Sequence, residues 1–199
     1  MQTDIDTEDL YFQDCVQRII NGIQFEACLR RPGSFTVVDS KKEIVYAADD
    51  GLASFEFFDL NADGFDDILL NQLTNIPGIR ELLLFDPKTS SFKTVEGFRK
   101  FPAAVKIDNT DFYYSYHRSG CADSNWDSDL FKLIDNKAVR FGNIHGIGCA
   151  ADLESGIYIN KIEDSSLTQI GFVAREEGYW EGKWNFIAEY WTNNYKKFE

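Results

Sequence analysis

Short apolar and β-branched runs follow one another from residue 23 to residue 191 with few residues between them. Gly, Pro, Asn, Asp and Ser separate the runs, which is the pattern of antiparallel strands joined by hairpins. A parallel βαβ crossover needs about a dozen or more residues, and most of these gaps are too short to hold one. We therefore predict an all-β fold, an antiparallel meander that packs as a sandwich or an open barrel.

The predicted strands cover residues 23–29, 34–39, 43–48, 54–59, 67–72, 80–86, 92–95, 104–108, 111–117, 129–135, 138–142, 156–162, 167–174 and 184–191. The chain has 199 residues, of which 44% are apolar. That length is sufficient to bury one apolar core. We predict a single antiparallel β domain over residues 23–199.

The segment before residue 23 has a different pattern. Leu10, Cys15 and Ile19 lie near helical spacing, and Asn21-Gly22 follows as a stop signal. This pattern predicts a short helix over residues 7–20 in an N-terminal extension of residues 1–22. EDLYFQD (8–14) also resembles a viral-protease cleavage site used in expression tags, which favours an artificial origin for residues 1–13.

An acidic loop between two predicted strands carries the sharpest motif of the chain. In DLNADGFDD (59–67), Asp59, Asn61, Asp63 and Asp67 stand at positions 1, 3, 5 and 9, and a glycine stands at position 6. Alternate residues of such a loop direct oxygens toward one Ca²⁺ ion, and the carbonyl of Phe65 adds a backbone ligand. The spacing predicts a structural calcium site, with a turn that binds no metal as the alternative.

The loop differs from a helical EF-hand because position 12 is Leu70, inside the next predicted strand. It resembles instead the calcium loops of FG-GAP-type β proteins. DSNWDSD (123–129) repeats the first part of the spacing but has Ser128 where the glycine belongs. We interpret it as a solvated turn, with a weak second cation loop as the alternative.

The four cysteines predict disulfide bonds. Their even number and wide spacing favour two bridges, of which the most local pairing joins Cys15 to Cys28 and Cys121 to Cys149. Disulfides are typical of oxidising compartments. A second interpretation is a zinc site, because HRSGC (117–121) and HGIGC (145–149) both place a histidine four residues before a cysteine.

Composition restricts the classes of partner. Twenty basic and thirty-three acidic residues give a net charge of −13, which disfavours nucleic acids and anionic lipid and favours a basic partner. No apolar run approaches the roughly 20 residues of a membrane helix, so we expect no membrane insertion. Nucleophile and phosphate-binding motifs are absent from the sequence, and we expect no enzymatic activity, with carboxylate-only glycosidase chemistry left open.

The order of features resembles a known family. A strand running into FFDLNADGFDDILL (57–70) precedes IRELLLFDPKTSSFKTV (79–95), the aromatic strand FYYSYHRSG (112–120) and the hairpin DLFKLIDNKAVRF (129–141). This order resembles the calcium-binding periplasmic lysozyme inhibitors, a group that includes immunity proteins against secreted peptidoglycan hydrolases. The resemblance covers roughly residues 34–142.

The resemblance implies a periplasmic or secreted protein that plugs the active-site cleft of a lysozyme-like cell-wall hydrolase with a protruding loop. Such inhibitors carry a Ser-Gly loop motif, which Ser119-Gly120 matches. An acidic surface agrees with a basic hydrolase as partner. Trp126, in a polar acidic segment, is a candidate exposed anchor. A core tryptophan at the start of a strand is the alternative.

A second function remains open, a secreted carbohydrate-binding or adhesion module stabilised by calcium. EGYWEGKW (177–184) would supply its aromatic platform. A hairpin turn with two inward-packed aromatic residues is the structural alternative for this segment.

Overall fold

The computed structural model describes residues 13–30, 33–49, 51–149, 152–164, 166–175 and 182–199. The described residues form two compact units. Unit 1 comprises those up to Leu73 together with Glu81–Thr94, and unit 2 comprises Thr74–Arg80 and Val95–Glu199. Antiparallel strands dominate both units, which confirms the all-β prediction.

Unit 1 contains two four-stranded antiparallel sheets, ordered β1-β2-β3-β4 and β5-β6-β7-β8. The strands are β1 (Gln13–Ile20), β2 (Ile23–Arg30), β3 (Ser34–Val38), β4 (Ile44–Ala48), β5 (Leu52–Phe58), β6 (Asp67–Gln72), β7 (Arg80–Asp86) and β8 (Ser91–Thr94).

The two sheets of unit 1 share one apolar core. The ring of Phe25 on β2 lies 5.8 Å from that of Phe85 on β7 and 5.3 Å from that of Phe92 on β8, centroid to centroid. The rings of Phe35 on β3 and Phe55 on β5 are 5.0 Å apart. These contacts make unit 1 a sandwich, one of the two packings that the sequence predicted.

The short N-terminal helix predicted over residues 7–20 is wrong for residues 13–20, which form β1 and pair with β2. Asn21 and Gly22 have φ of 50° and 76°, and positive φ at both central residues is typical of a type I′ hairpin turn. The Asn-Gly pair is therefore a hairpin turn rather than a helix stop. Residues 7–12 lie outside the described residues, and the predicted boundary after residue 22 falls in this turn.

Unit 2 contains a larger antiparallel sheet in the order β15-β14-β13-β12-β10-β9, with β11 also paired to β12. The strands are β9 (Val105–Lys106), β10 (Phe112–Tyr114), β11 (His117–Gly120), β12 (Asn125–Ile134), β13 (Lys137–Ile147), β14 (Gly156–Glu163) and β15 (Ser166–Ala174). Consecutive strands are neighbours except β10 and β11, which both pair with β12, so the sheet is an antiparallel meander. No sheet of the described residues closes into a barrel.

Helix α1 (Lys183–Asn194) packs on one face of this sheet. Its buried residues Ile187 and Trp191 join an apolar core with Leu130 and Ile144 of the sheet. The strand predicted over residues 184–191 is therefore wrong, since these residues belong to the helix. The buried apolar residues Ile187 and Trp191 are four residues apart, which is helical spacing. No helix of the described residues is long and apolar enough to cross a membrane.

A tryptophan and a glycine face each other across β12 and β13. Trp126 pairs with Gly146 in the strand register and is fully buried. A Cβ atom added to Gly146 would overlap the Trp126 indole. Only glycine therefore leaves room for this indole against the neighbouring strand.

Candidate functional site

The predicted calcium loop joins β5 to β6, and the Phe58–Asp67 pair closes the hairpin beneath it. The loop is held by its own acidic side chains. Asp59 accepts hydrogen bonds from the backbone N–H groups of Asp63 and Gly64, at 3.1 and 3.0 Å. Asp63 accepts one from the N–H of Phe65 at 2.9 Å. Gly64 has a φ of +91°, the turn that the motif requires of its glycine.

Asp67 is the buried member of the loop. Its carboxylate accepts hydrogen bonds from the backbone N–H of Leu60 at 3.1 Å and of Phe85 at 3.0 Å. Burial raises the pKa of Asp67 to about 7, although these backbone hydrogen bonds oppose the shift. Removing this carboxylate from water is therefore costly, and a nearby cation would offset that cost.

The residues of the loop fit calcium in their donor chemistry. Carboxylate, amide and carbonyl oxygens are the ligands that Ca²⁺ prefers, and Asp59, Asn61, Asp63, Phe65 and Asp67 supply them. No three acidic, histidine or cysteine side chains of the described residues are grouped as a metal cluster. Calcium binding at this loop stays a prediction.

Ser119 and Gly120, predicted to form a partner-binding loop, are the last two residues of β11 in unit 2. Arg118, Ser119 and Gly120 are exposed there. The next residues, Cys121, Ala122 and Asp123, have φ of 52°, 49° and 74°. Left-handed backbone in residues other than glycine is costly and persists only where surrounding contacts enforce it.

Two kinds of contact hold this loop in place. Cys121 forms a disulfide with Cys149, after the end of β13. The side-chain oxygen of Asn125 accepts hydrogen bonds from the N–H groups of Gly148 and Cys149, at 2.9 and 3.1 Å. The exposed Ser119-Gly120 pair is therefore followed by residues that are held in place.

Both predicted disulfides are confirmed. The second bond joins Cys15 and Cys28, which face each other directly in the β1–β2 register. The zinc interpretation of the two His-x3-Cys units is wrong, because the sulfurs of Cys121 and Cys149 are bonded to each other.

The two histidines contact the same carboxylate. Nδ1 of His145 lies 2.8 Å from Asp127 Oδ1, and Nε2 of His117 lies 3.9 Å from Asp127 Oδ2. The hydrogen bond to Asp127 raises the pKa of His145, against the effect of burial. Burial opposes ionisation of Asp127, but the hydrogen bonds from His145 and Asn143 outweigh it and lower the pKa of Asp127.

The weak cation loop predicted at 123–129 is wrong, and so is the solvated turn. Most of the segment belongs to strand β12, and its carboxylates have separate partners. Asp123 pairs with Lys183, Asp127 with His145, and Asp129 with Arg140 at 3.1 Å.

Trp126 is not the exposed anchor that the sequence suggested. Its indole is buried in the core between the sheet and α1, which confirms the alternative of a core tryptophan. Partner binding by Ser119 and Gly120 stays a prediction.

An exposed aromatic residue stands elsewhere in the same unit. Trp184, in the first turn of α1, is 52% exposed, and its ring contacts that of Tyr116, 3.9 Å away between centroids. The predicted aromatic platform included Trp184 but not Tyr116. Residues 177–181 of that platform lie outside the described residues. The aromatic run before Ser119-Gly120 was the available signal for Tyr116.

Comparison with known proteins gives information on the fold. No known protein-family model matches the sequence. No curated protein matches it significantly. Among solved structures, the chain is similar to that of a Xanthomonas Type IV Secretion System related protein, with a TM-score of 0.52 and 15% identity. The match covers 79% of this chain and 93% of that chain. At this identity the likeness extends to the fold alone.

Proposed function

We propose that this chain is a periplasmic or secreted binding protein that inhibits a lysozyme-like cell-wall hydrolase. The Ser119-Gly120 loop enters the active-site cleft of the hydrolase, and Ca²⁺ stabilises the β5–β6 loop. The chain acts by binding and not by catalysis.

The observation that carries the proposal is the exposed Ser119-Gly120 end of β11, which is followed by a strained and anchored turn. The left-handed backbone at Cys121–Asp123, the Cys121–Cys149 bond and the hydrogen bonds of Asn125 fix its base. A loop that is already ordered loses little conformational entropy when it enters a cleft, which favours affinity.

Three further features support the proposal. Two disulfides agree with an oxidising compartment. The net charge of −13 favours a basic partner, and opposite charge accelerates encounter. The fold is similar to that of a protein related to a type IV secretion system, which agrees with a role connected with secretion.

The experiment is a turbidity assay of peptidoglycan lysis, using a panel of lysozymes and other peptidoglycan hydrolases. The wild-type protein is expected to stop at least one hydrolase at a near-stoichiometric ratio. Ser119→Trp is expected to abolish that inhibition, because a bulky ring at the exposed tip obstructs entry into the cleft. Ser166→Trp, at an exposed position on β15, is the matched control and is expected to inhibit like the wild type.

Failure of the wild-type protein to inhibit any hydrolase of the panel would refute the proposed function. Equal inhibition by Ser119→Trp and the wild type would place the contact elsewhere on the molecule. The Cys121→Ala/Cys149→Ala double variant is expected to inhibit less tightly, because its loop must be ordered on binding.

A further inference from the structure

A cavity of about 260 Å³ opens in unit 2 beside the Ser119-Gly120 loop. Residues from separate segments of unit 2 line the cavity, among them Ile76, Ala103, Tyr116, Arg118, Asp123 and Trp184. Drug-sized ligands occupy pockets of roughly 300 to 1,000 Å³, so this cavity suits one small ring.

Backbone hydrogen bonds fix the walls of the cavity. The N–H of Ala103 donates to the carbonyl of Gly78 at 2.9 Å, and the N–H of Tyr116 donates to the carbonyl of Pro102 at 2.9 Å. Gly78 has a φ of +83°, and a Cβ atom there would come within 2.9 Å of the Ala103 nitrogen. The segment 76–78 is therefore bound closely to the segment that leads into Tyr116, and the cavity is formed before any ligand arrives.

Two aromatic rings give the cavity an apolar face. The rings of Tyr116 and Trp184 are inclined at 53° to each other. Trp184 is half exposed, although a tryptophan side chain is usually largely buried. The other two described tryptophans of the chain, Trp126 and Trp191, are fully buried. The exposed Trp184 indole is thus available to a ligand with an apolar surface.

Two cationic side chains and one carboxylate lie around these rings. Nζ of Lys183 lies 2.6 Å from Asp123 Oδ2, and the hydroxyl of Tyr116 donates to Asp123 Oδ1. The Arg118 guanidinium is exposed, and no hydrogen bond or ion pair joins it to another described residue. An anion in the cavity would meet Asp123, and a cation would meet Lys183 and Arg118. A neutral ligand that both donates and accepts hydrogen bonds encounters neither repulsion.

We propose that this cavity binds one uncharged pyranose ring of a glycan chain. The C–H face of the sugar packs against Trp184 and Tyr116. Its hydroxyl groups accept hydrogen bonds from Arg118 and donate to Asp123. The site is additional to the proposed hydrolase inhibition, since inhibition requires the loop and not the cavity.

The test is a titration of the full chain with chitotetraose, cellotetraose and maltotetraose, followed by calorimetry and by tryptophan fluorescence. At least one of these neutral tetrasaccharides is expected to bind and to change the emission of the exposed Trp184. Trp184→Ala is expected to weaken binding roughly tenfold or more, because the stacking surface is lost. Trp184→Phe keeps an aromatic face and is expected to retain most of the affinity.

Phe58→Ala is the matched control, because Phe58 is also an aromatic side chain that is 52% exposed, and it lies on β5 in unit 1. It is expected to bind sugar like the wild type. Arg118→Gln removes the guanidinium without an exposed apolar replacement and is expected to weaken binding several-fold.

Absence of binding by all three tetrasaccharides at millimolar concentration would overturn the proposal. Binding that Trp184→Ala leaves unchanged would also overturn it, because the sugar would then lie elsewhere. A preference for tetragalacturonate over the neutral tetrasaccharides would exclude an uncharged ligand. The turbidity assay of the same protein is independent, so the failure of one proposal leaves the other standing.

Discussion

At the scale of single residues, Asp67 connects the acidic loop to the core of unit 1. Its side chain is fully buried and joins the loop, through Leu60, to strand β7, through Phe85. The Asp67 carboxyl group therefore stabilises the fold whether or not a metal is bound.

Replacement of Asp67 by alanine is expected to lower the free energy of unfolding by about 2 kcal/mol or more, because two buried N–H groups lose their acceptor. The measurement is urea unfolding at pH 6 in excess chelator, where a pKa of about 7 leaves the wild-type carboxyl group largely protonated. Asp66→Ala is the control. Asp66 makes a partly exposed ion pair with Arg18, and its loss is expected to cost less than about 1 kcal/mol. Equal losses in the two variants would contradict this role of Asp67.

His145 and Asp127 form an ion pair whose contribution to the free energy of unfolding depends on pH. His145 faces Asp127 on β12 and Tyr158 on β14, and His117 on β11 faces Asp127 from the other side. The raised pKa of His145 means that the folded state binds the proton more tightly than the unfolded state does. This contribution is complete below the unfolded histidine pKa of about 6.5 and is lost as the pH rises through the folded value.

We therefore expect His145 to lower the unfolding free energy between pH 6 and pH 8 by on the order of 1 kcal/mol or less, since it is about one-third exposed. The raised pKa of Asp67, about 7, adds its own fall as the pH rises toward that value. The lowered pKa of Asp127 keeps that carboxylate ionised throughout this window. Urea unfolding at several pH values measures the slope. His145→Gln should reduce it, and His117→Gln should preserve it, because that imidazole is 3.9 Å from the carboxylate. A slope that His145→Gln leaves unchanged would contradict the assignment.

At the scale of secondary structure, helix α1 supplies the apolar cover of one sheet face. The indole N–H of Trp191 donates a hydrogen bond to the hydroxyl of Ser128 on β12 at 2.8 Å, within the buried contact. Lys183, at the start of the helix, is buried beside Asp123. The helix is thus attached to the sheet by polar as well as apolar contacts.

Ile187→Ala is expected to reduce the free energy of unfolding by about 2 to 5 kcal/mol, because it leaves a cavity beneath the helix. Glu189→Ala, on the exposed side of the same helix, is expected to change it by no more than about 0.5 kcal/mol. Fluorescence of the buried tryptophans Trp126 and Trp191 reports the loss of unit 2 structure. Similar midpoints for the two variants would contradict the packing of α1 on the sheet.

The β5–β6 loop gives a prediction about metal removal. If Ca²⁺ binds there, excess chelator lowers the melting temperature, and calcium at about 100 times its dissociation constant adds about 2.7 kcal/mol. Asp63→Ala is expected to melt at the same temperature with and without calcium. Asp39→Ala, in a turn where the carboxylate also accepts N–H groups, keeps the calcium response. A wild-type melt that chelator leaves unchanged would refute the calcium site.

The two elements that the sequence misassigned show what a local pattern lacks. Both the N-terminal segment and residues 184–191 carry apolar residues that fit either period, and their structure is decided by what they contact. Residues 13–20 are strand because Asn21-Gly22 turns them onto β2. Residues 183–194 are helical because apolar residues four positions apart then lie on one side of the helix and pack against the apolar face of the unit 2 sheet. The strands between them were predictable, since their hairpin turns are local.

At the scale of the whole molecule, the net charge of −13 affects how a partner approaches. For the proposed basic hydrolase, long-range attraction would accelerate association and would be screened by salt over a Debye length of about 10 Å at 0.1 M. The disulfide pairs and the acidic loop were readable from the sequence. The cavity of Tyr116 and Trp184 was not, because it is formed by segments more than 100 residues apart in the chain, from Ile76 to Trp184.

For a hydrolase that the protein inhibits, the association rate constant is expected to fall at least tenfold between about 10 mM and about 0.5 M salt. The dissociation rate constant is expected to change much less. Stopped-flow fluorescence or surface plasmon resonance measures both. An association rate that is independent of salt would show that the overall charge does not steer the encounter.

The pairing of Trp126 with Gly146 restricts how this sequence can change over time. A side chain at position 146 requires the space that the indole occupies, so Gly146 cannot be enlarged while Trp126 is present. Gly142 stands in the same relation to Phe198, at the end of the chain. Substitutions at these pairs are therefore expected to be acquired together, and libraries that vary both members should recover folded proteins that single-site libraries miss.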